Sequence, residues 1–250
     1  MAIVTLLSDF GLADTYVGQL KAAVLSVAGS VCLVDLTHAV PPQDVFGGAF
    51  LLWSAVETFP NDVVHVAVVD PGVGSARRGV AARSQRGDLL VGPDNGLLVP
   101  ALDRVGGCAA AVELTNPRYW RTTQASTFHG RDIFGPVAGH LALGVPLDQF
   151  GPPVELQRPF ELRLANGPRG QVMHIDAYGN LITNLPARPR FAVAIADRIL
   201  EQQPYYAAAR SGELLALVGS SGLIEISVRD GSAAATLGAK RGDEVTIEPR

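Results

Sequence analysis

Three short apolar runs in the first half of the chain end in polar clusters: Ser8-Asp9-Phe10-Gly11, Asp35-Leu36-Thr37-His38 and Asp70-Pro71-Gly72-Val73-Gly74. One Asp at a strand end needs no explanation beyond turn formation. Three such ends exceed what turns require, and in open α/β sheets ligands bind at the carboxyl ends of strands. A fourth cluster, Thr127-Phe128-His129-Gly130-Arg131-Asp132, precedes a helical pattern over 133–143 whose apolar face is Phe134, Val137, Ala138 and Leu141. His129 then stands just before a helix N-terminus, where the dipole disfavours the imidazolium. A neutral imidazole can accept a proton, so a general-base role is open to it. In the second half, Asp176-Ala177-Tyr178-Gly179-Asn180 joins a turn signal to an aromatic ring and an acid. That set can stack on a base and hydrogen-bond to it.

Other chemistries find no support. Gly72-Val73-Gly74 lacks the third glycine of a dinucleotide fingerprint, and the phosphate-cradling Gly-x-x-x-x-Gly-Lys-Ser/Thr loop and the Gly-x-Ser-x-Gly elbow are absent. His65 lies in a very apolar strand and His140 inside a helix, so both read as structural.

The elements that must carry these groups change character along the chain. Over 1–155, apolar runs at 3–7, 31–36, 63–69, 89–91 and 109–112 alternate with helical spacing at 14–28 and 45–59. This predicts an α/β domain with a mostly parallel sheet and helices on both faces. A Pro-rich stretch near 151–159 reads as a linker. Over 160–250, short runs at 160–164, 172–176, 191–195, 214–218, 223–228 and 244–248 predict a small all-β barrel domain.

Composition narrows the class. Hydrophobic residues make up 48% of the 250 and charged residues 18%, enough apolar content for a sizeable core. The net charge is −4, and residues 1–160 carry all of it (10 basic, 14 acidic, against 10 and 10 in the remainder). No basic stripe suits nucleic acid, and no run of 18 apolar residues suits a membrane span. Two distant cysteines, Cys32 and Cys108, and an N-terminus without a basic leader pattern point to a reducing, cytoplasmic setting.

With these motifs in order, and with Gly92-Pro93-Asp94-Asn95-Gly96 and Ser220-Ser221-Gly222, the sequence resembles the S-adenosyl-L-methionine hydroxide adenosyltransferase family from residue 5 to about 231. That family is related to fluorinating and chlorinating enzymes. The resemblance implies hydrolysis of S-adenosylmethionine to adenosine and L-methionine, without metal or other cofactor. It also implies a homotrimer with intersubunit sites. The family's Asp–Arg–His set maps onto Asp70, Arg77 and His129, with Arg78 beside Arg77 as a rival. Asp9 would hold the ribose hydroxyls, and Asp176 and Ser220 the methionine moiety. Phe128, Tyr178 and Asn180 complete the implied substrate contacts, the last two lining the adenine and ribose pocket. The halogenating relatives carry Tyr at the places of Asp70 and His129 and Ser at that of Gly130, and they have an extra loop near 80–98. Arg229 stands where a small polar residue is usual. Three alternatives stay open: halide in place of water, an adenosine-binding module without turnover, and a metal-dependent hydrolase using His38, Asp70 and His129.

Overall fold

The computed structural model describes residues 1–248, and the chain divides into two compact units, Met1–Glu161 and Leu162–Arg250. The first unit is a six-stranded sheet: β1 (Ile3–Ser8), β2 (Cys32–Thr37), β3 (Val64–Val68), β4 (Gly79–Ser84), β5 (Leu89–Pro93) and β6 (Cys108–Glu113). The spatial order is β2-β1-β3-β5-β4-β6. Neighbours from β2 to β5 pair in parallel, and β4 runs antiparallel to both β5 and β6. The sheet is therefore mixed, with β4 alone reversed. Its four longer helices are α1 (Tyr16–Val27), α2 (Val45–Val56), α3 (Val99–Arg104) and α4 (Gly135–Ala142).

Period-two alternation along the strands feeds two cores. On one face Val4, Leu6, Val64, Val66 and Val68 meet Leu20 and Val24 of α1 and Val137 and Leu141 of α4. On the other, Leu7, Ala67, Val69 and Leu90 meet Leu52 and Val56 of α2 and Ala101 and Leu102 of α3. Central β3 is buried on both faces, as a parallel strand between helix layers must be. His65 sits within it, wholly buried. Its Nδ1 is 2.7 Å from Thr5 Oγ1, and its Nε2 has no partner. Burial pushes its pKa down to about 4; Asp88 pulls upward and Arg86 adds to the depression.

The Pro-rich stretch expected as a linker runs along the outer edge of β6. Glu113 N–H donates to Pro152 O at 2.9 Å and Val154 N–H to Ala111 O at 3.0 Å, and Val112 bridges Pro153. Val154, Leu156 and Phe160 pack on the second core.

The second unit is a seven-stranded antiparallel sheet of β7 (Arg169–Ile175), β8 (Leu181–Pro186), β9 (Ala192–Ile195), β10 (Arg198–Glu201), β11 (Leu214–Val218), β12 (Leu223–Val228) and β13 (Glu244–Ile247). Its order is β10-β9-β13-β7-β8-β12-β11. Its two ends meet through Gln203 N–H to Ala216 O at 2.7 Å and a Gln202–Ala216 bridge, so the sheet is nearly closed. Val172, Leu181, Leu185, Phe191, Val193, Ile224, Ile226 and Val245 fill it. Helix α5 (Ala233–Leu237) is capped at its start by Ser232 Oγ, which accepts from Ala235 N at 3.1 Å. Residues 160–164 form no strand.

Candidate active site

Asp70 leaves the carboxyl end of β3 at the centre of the sheet, and the loop after it folds back tightly. Val73 N–H donates to Asp70 O, Ser75 Oγ to Gly72 O at 2.7 Å, and Arg77 N–H to Ser75 Oγ. Gly74 has φ +77°, and a Cβ there would collide with Ser126 O of the neighbouring loop, so glycine is required twice over. The turn returns Arg77 to Asp70. Arg77 Nε donates to both carboxylate oxygens at 2.8 and 3.0 Å, and Nη2 donates to Oδ2. Their side chains are 13% and 6% exposed, so this bidentate pair is largely out of water. The guanidinium carbon lies 5.3 Å from the Phe134 ring centroid, a favourable cation–aromatic placement.

The same Nη2 is 2.8 Å from His129 Nδ1. A guanidinium can only donate. His129 Nδ1 must therefore be the acceptor, which leaves the ring neutral with its proton on Nε2. Burial first, and the Arg77 charge second, hold His129 below the ordinary imidazole value, against opposite pulls from Asp70 and Asp132. Its backbone is αR, and one π-helical turn (Gly130–Phe134) leads into α4. Fully buried Asp132 fixes that turn, accepting from Arg131 Nε at 2.6 Å, Arg121 Nη1 at 3.1 Å and Ala125 N–H at 2.7 Å.

Arg77 stands between Asp70 and His129, and the one lone-pair nitrogen of the neutral His129 ring is occupied by Arg77. What the ring offers is an N–H donor at Nε2. Arg78, beside Arg77 in sequence, reaches Asp94 at 2.9 Å and Glu155 O at 3.0 Å instead.

Asp9 continues β1 past its end, and its Oδ2 accepts from Gln43 N–H at 2.9 Å. Phe128 is 9% exposed and meets Phe10 and Tyr16 edge-on at 5.5 and 5.3 Å, joining the Asp9 loop to the His129 loop. Helical spacing puts Phe134 on an apolar face but does not show its place beside Arg77, nor the Ser8–His38 contact at 2.7 Å. The motifs containing Ser8 and His38 are visible in the sequence, but not their meeting.

The second unit holds a pocket of about 680 Å³ lined by Tyr178, Asn180, Tyr206, Ala207, Val228, Arg229, Asp230 and Gly231. Asp176 organises its rim: Oδ1 accepts from Tyr178 N–H and Asn180 N–H, and Oδ2 from Asn180 Nδ2, all at 2.9 Å. Tyr178 is 79% exposed and Asn180 buried. Tyr206 donates its hydroxyl to Glu225 Oε1 at 2.6 Å; burial and that carboxylate raise its pKa well above the usual phenol range. Arg229 Nη1 donates to the carbonyls of Ala207 and Ala209, so its head is tied to the backbone of the pocket wall. Ser220 is exposed on the β11–β12 turn.

Comparison with known proteins follows this division. A family model described as the SAM hydroxide adenosyltransferase N-terminal domain matches residues 4–151, and its C-terminal counterpart matches 170–246. The chain is 42% identical over 258 residues to "(R)-S-adenosyl-L-methionine hydrolase" of Thermus thermophilus, covering 99% of this chain and 100% of that one. It is 41% identical over 256 residues to the protein of the same name in Salinispora arenicola, covering 96% and 95%. An uncharacterized conserved protein of Thermotoga maritima has a crystal structure that matches with TM-score 0.91 and 32% identity, covering 98% of this chain and all of that one.

Proposed function

The chain belongs to the SAM hydroxide adenosyltransferase family, and on that premise we propose that it hydrolyses S-adenosyl-L-methionine to adenosine and L-methionine. Water attacks C5′ in line with the sulfonium. The C5′–S bond breaks with its electron pair going to sulfur, the O–C5′ bond forms, and the proton lost from water passes to bulk solvent. The leaving group departs as a neutral thioether and needs no general acid. The difficulty is the nucleophile, because hydroxide is scarce at neutral pH.

The observation that carries this reading is the buried Asp70–Arg77–His129 chain. Arg77 is permanently charged and favours hydroxide over water. Asp70 holds its fork rigid, and His129 donates from Nε2 to the attacking oxygen. Donors fixed before the reaction in a water-poor site act most strongly where charge is concentrated. In this reading Asp9 grips the ribose diol, and Phe128 closes the aromatic wall beside it. Tyr178 and Asn180 serve the adenosine moiety, and Asp176 and Ser220 the methionine end. Asp176 spends both oxygens on its own loop, so its part is to shape that loop as well as to supply charge. The substrate form carried over from the relatives' names is the (R) sulfonium epimer. The proposed working form is a cytoplasmic homotrimer, tested by sedimentation at three times the chain mass.

Incubation with each sulfonium epimer in ¹⁸O-water is expected to release methionine and adenosine with label in the 5′-hydroxyl, undiminished by EDTA. A 5′-chloro product in chloride buffer, or bound adenosine without methionine release, would reject hydrolysis. Asp9→Ala is expected to raise KM by about 10-fold or more, the scale of hydrogen bonds to a charged group. An unchanged KM removes Asp9 from the ribose.

A further inference from the structure

The Asp9 loop is held by a second hydrogen-bonded chain that the hydrolytic reading leaves unused. Ser8 Oγ is 2.7 Å from His38 Nδ1, His38 Nε2 is 3.2 Å from Asp35 Oδ1, and Lys21 Nζ is 2.6 Å from Asp35 Oδ2. Ser8 and His38 are 0% and 4% exposed, and Asp35 opens to solvent. Phe10 N–H donates to Ser8 Oγ at 3.3 Å. One direction satisfies every atom: Phe10 N–H to Ser8, Ser8 O–H to Nδ1, His38 Nε2–H to Asp35, Lys21 to Asp35. The residue types are those of a nucleophilic triad, but the geometry is reversed. Such a triad presents Nε2 to the serine; here Nδ1 faces it, and Ser8 is sealed from any substrate.

Its location points to another use. Strands β1 and β2 pair in parallel with Leu6 opposite Asp35, then slip one residue so that Leu7 faces Thr37. The slip carries His38 alongside Ser8. Irregularities of this kind re-aim side chains beside functional sites. Around it, Gly11 N–H donates to His38 O at 2.8 Å and Val40 N–H to Ser8 O at 3.4 Å. The loops 8–11 and 38–43 are thereby fastened to each other on both sides of Asp9, whose Oδ2 takes Gln43 N–H from the second loop. Lys21 and His38 hold the Asp35 carboxyl below its usual range despite the upward push of burial, which keeps the outer end of the chain charged.

We propose that Ser8 and His38 are positioning residues for nucleoside recognition: their buried hydrogen bond sets the Asp9 carboxylate at the height and angle that a vicinal ribose diol requires. The inference rests on the reading of Asp9 as the diol ligand. Loss of the bond leaves the fold in place but lets Asp9 swing, so the protein loses its preference for a nucleoside that carries both hydroxyls.

The test is binding of adenosine and 2′-deoxyadenosine by titration calorimetry to the full chain, with thermal unfolding to confirm folding. Wild type is expected to prefer adenosine by about 10-fold or more, the scale of hydrogen bonds to a charged group. Asp9→Asn is expected to bring the ratio near one; if it keeps the wild-type ratio, the diol reading of Asp9 itself fails. Given that collapse, Ser8→Ala and His38→Asn are expected to cut the ratio by about 3-fold or more. A merely structural role would weaken both nucleosides equally. Ser8→Ala, a one-atom truncation that leaves His38 and Asp35 in place, decides the matter if His38→Asn does not fold. A folded Ser8→Ala protein with the wild-type ratio overturns the proposal.

Discussion

Arg77→Met is expected to lower kcat by about 10³-fold or more. Loss of one preorganised donor to a developing or reacting oxyanion costs about 10²–10³, and Arg77 also carries the fork that places His129. The substitution strands Asp70, 6% exposed, as an unpaired buried carboxylate, which costs about 3–5 kcal/mol of stability. The double variant Asp70→Asn/Arg77→Met removes that penalty and is expected to regain stability without regaining turnover. His129 separates two mechanisms. His129→Ala is expected to lose about 10²–10⁴ in kcat, the scale of a lost positioned proton-transfer or donor group. A glutamine can accept from Arg77 through Oε1 and donate through Nε2. His129→Gln is therefore expected to retain about 10-fold more activity than His129→Ala; equal loss in the two would restore the general-base role. Because burial and Arg77 depress His129, the active neutral ring persists as pH falls, and the acid limb of kcat/KM lies below the usual imidazole range near 6.5. A folded Arg77→Met protein with near-native kcat, measured by methionine release, would remove the whole chain from the chemistry.

The second large effect is on acid stability and comes from His65, remote from any substrate role. Its folded pKa is about 4 against 6.5 for an ordinary imidazole. As pH falls, the unfolded chain binds this proton first, so stability drops as pH falls from about 6.5 to about 4 and levels off below that. A depression of this size is on the order of 3 kcal/mol. The cause is burial at 0% exposure with Nε2 unpartnered: a proton there would be a charge in the sheet centre without an acceptor. Urea midpoints for wild type and His65→Leu at pH 7.5, 5.5 and 4.5 check this. The variant loses the Thr5 contact at every pH but is expected to lose less stability on acidification. Parallel pH trends in the two proteins would refute it.

The parts of the fold that were legible had one period and one environment. Val63–Val69 is apolar at every position but His65 because both faces of β3 are covered, and the helical spacing of Leu20 and Val24 survives as the packed face of α1. Strand β4 escaped notice because Gly79–Ser84 is short and small, with Arg83 facing outward, and is a strand only through its antiparallel partners. Residues 160–164 carry strand-forming side chains but no strand, because Phe160 is used instead to pack on the α2 side of the first unit. In the site, Asp70, Arg77 and His129 could be nominated by type and resemblance. Their order in space could not, since it depends on a loop that brings residue 77 back to residue 70 and on a donor that fixes the tautomer of residue 129. The Ser8–His38 meeting depends on a one-residue slip between two strands, which leaves no trace in composition or periodicity.

The stretch along β6 has one more consequence. A terminal strand offers a row of unpaired amides and carbonyls on which another chain can grow as an added strand. Here Pro152 and Pro153 lie along that row: Pro152 O takes the Glu113 N–H and Val154 N–H returns to Ala111 O, while neither proline has an N–H to pass on. The ladder stops at a residue type that cannot extend it, which protects this edge of the sheet against edge-to-edge aggregation while the chain is folded.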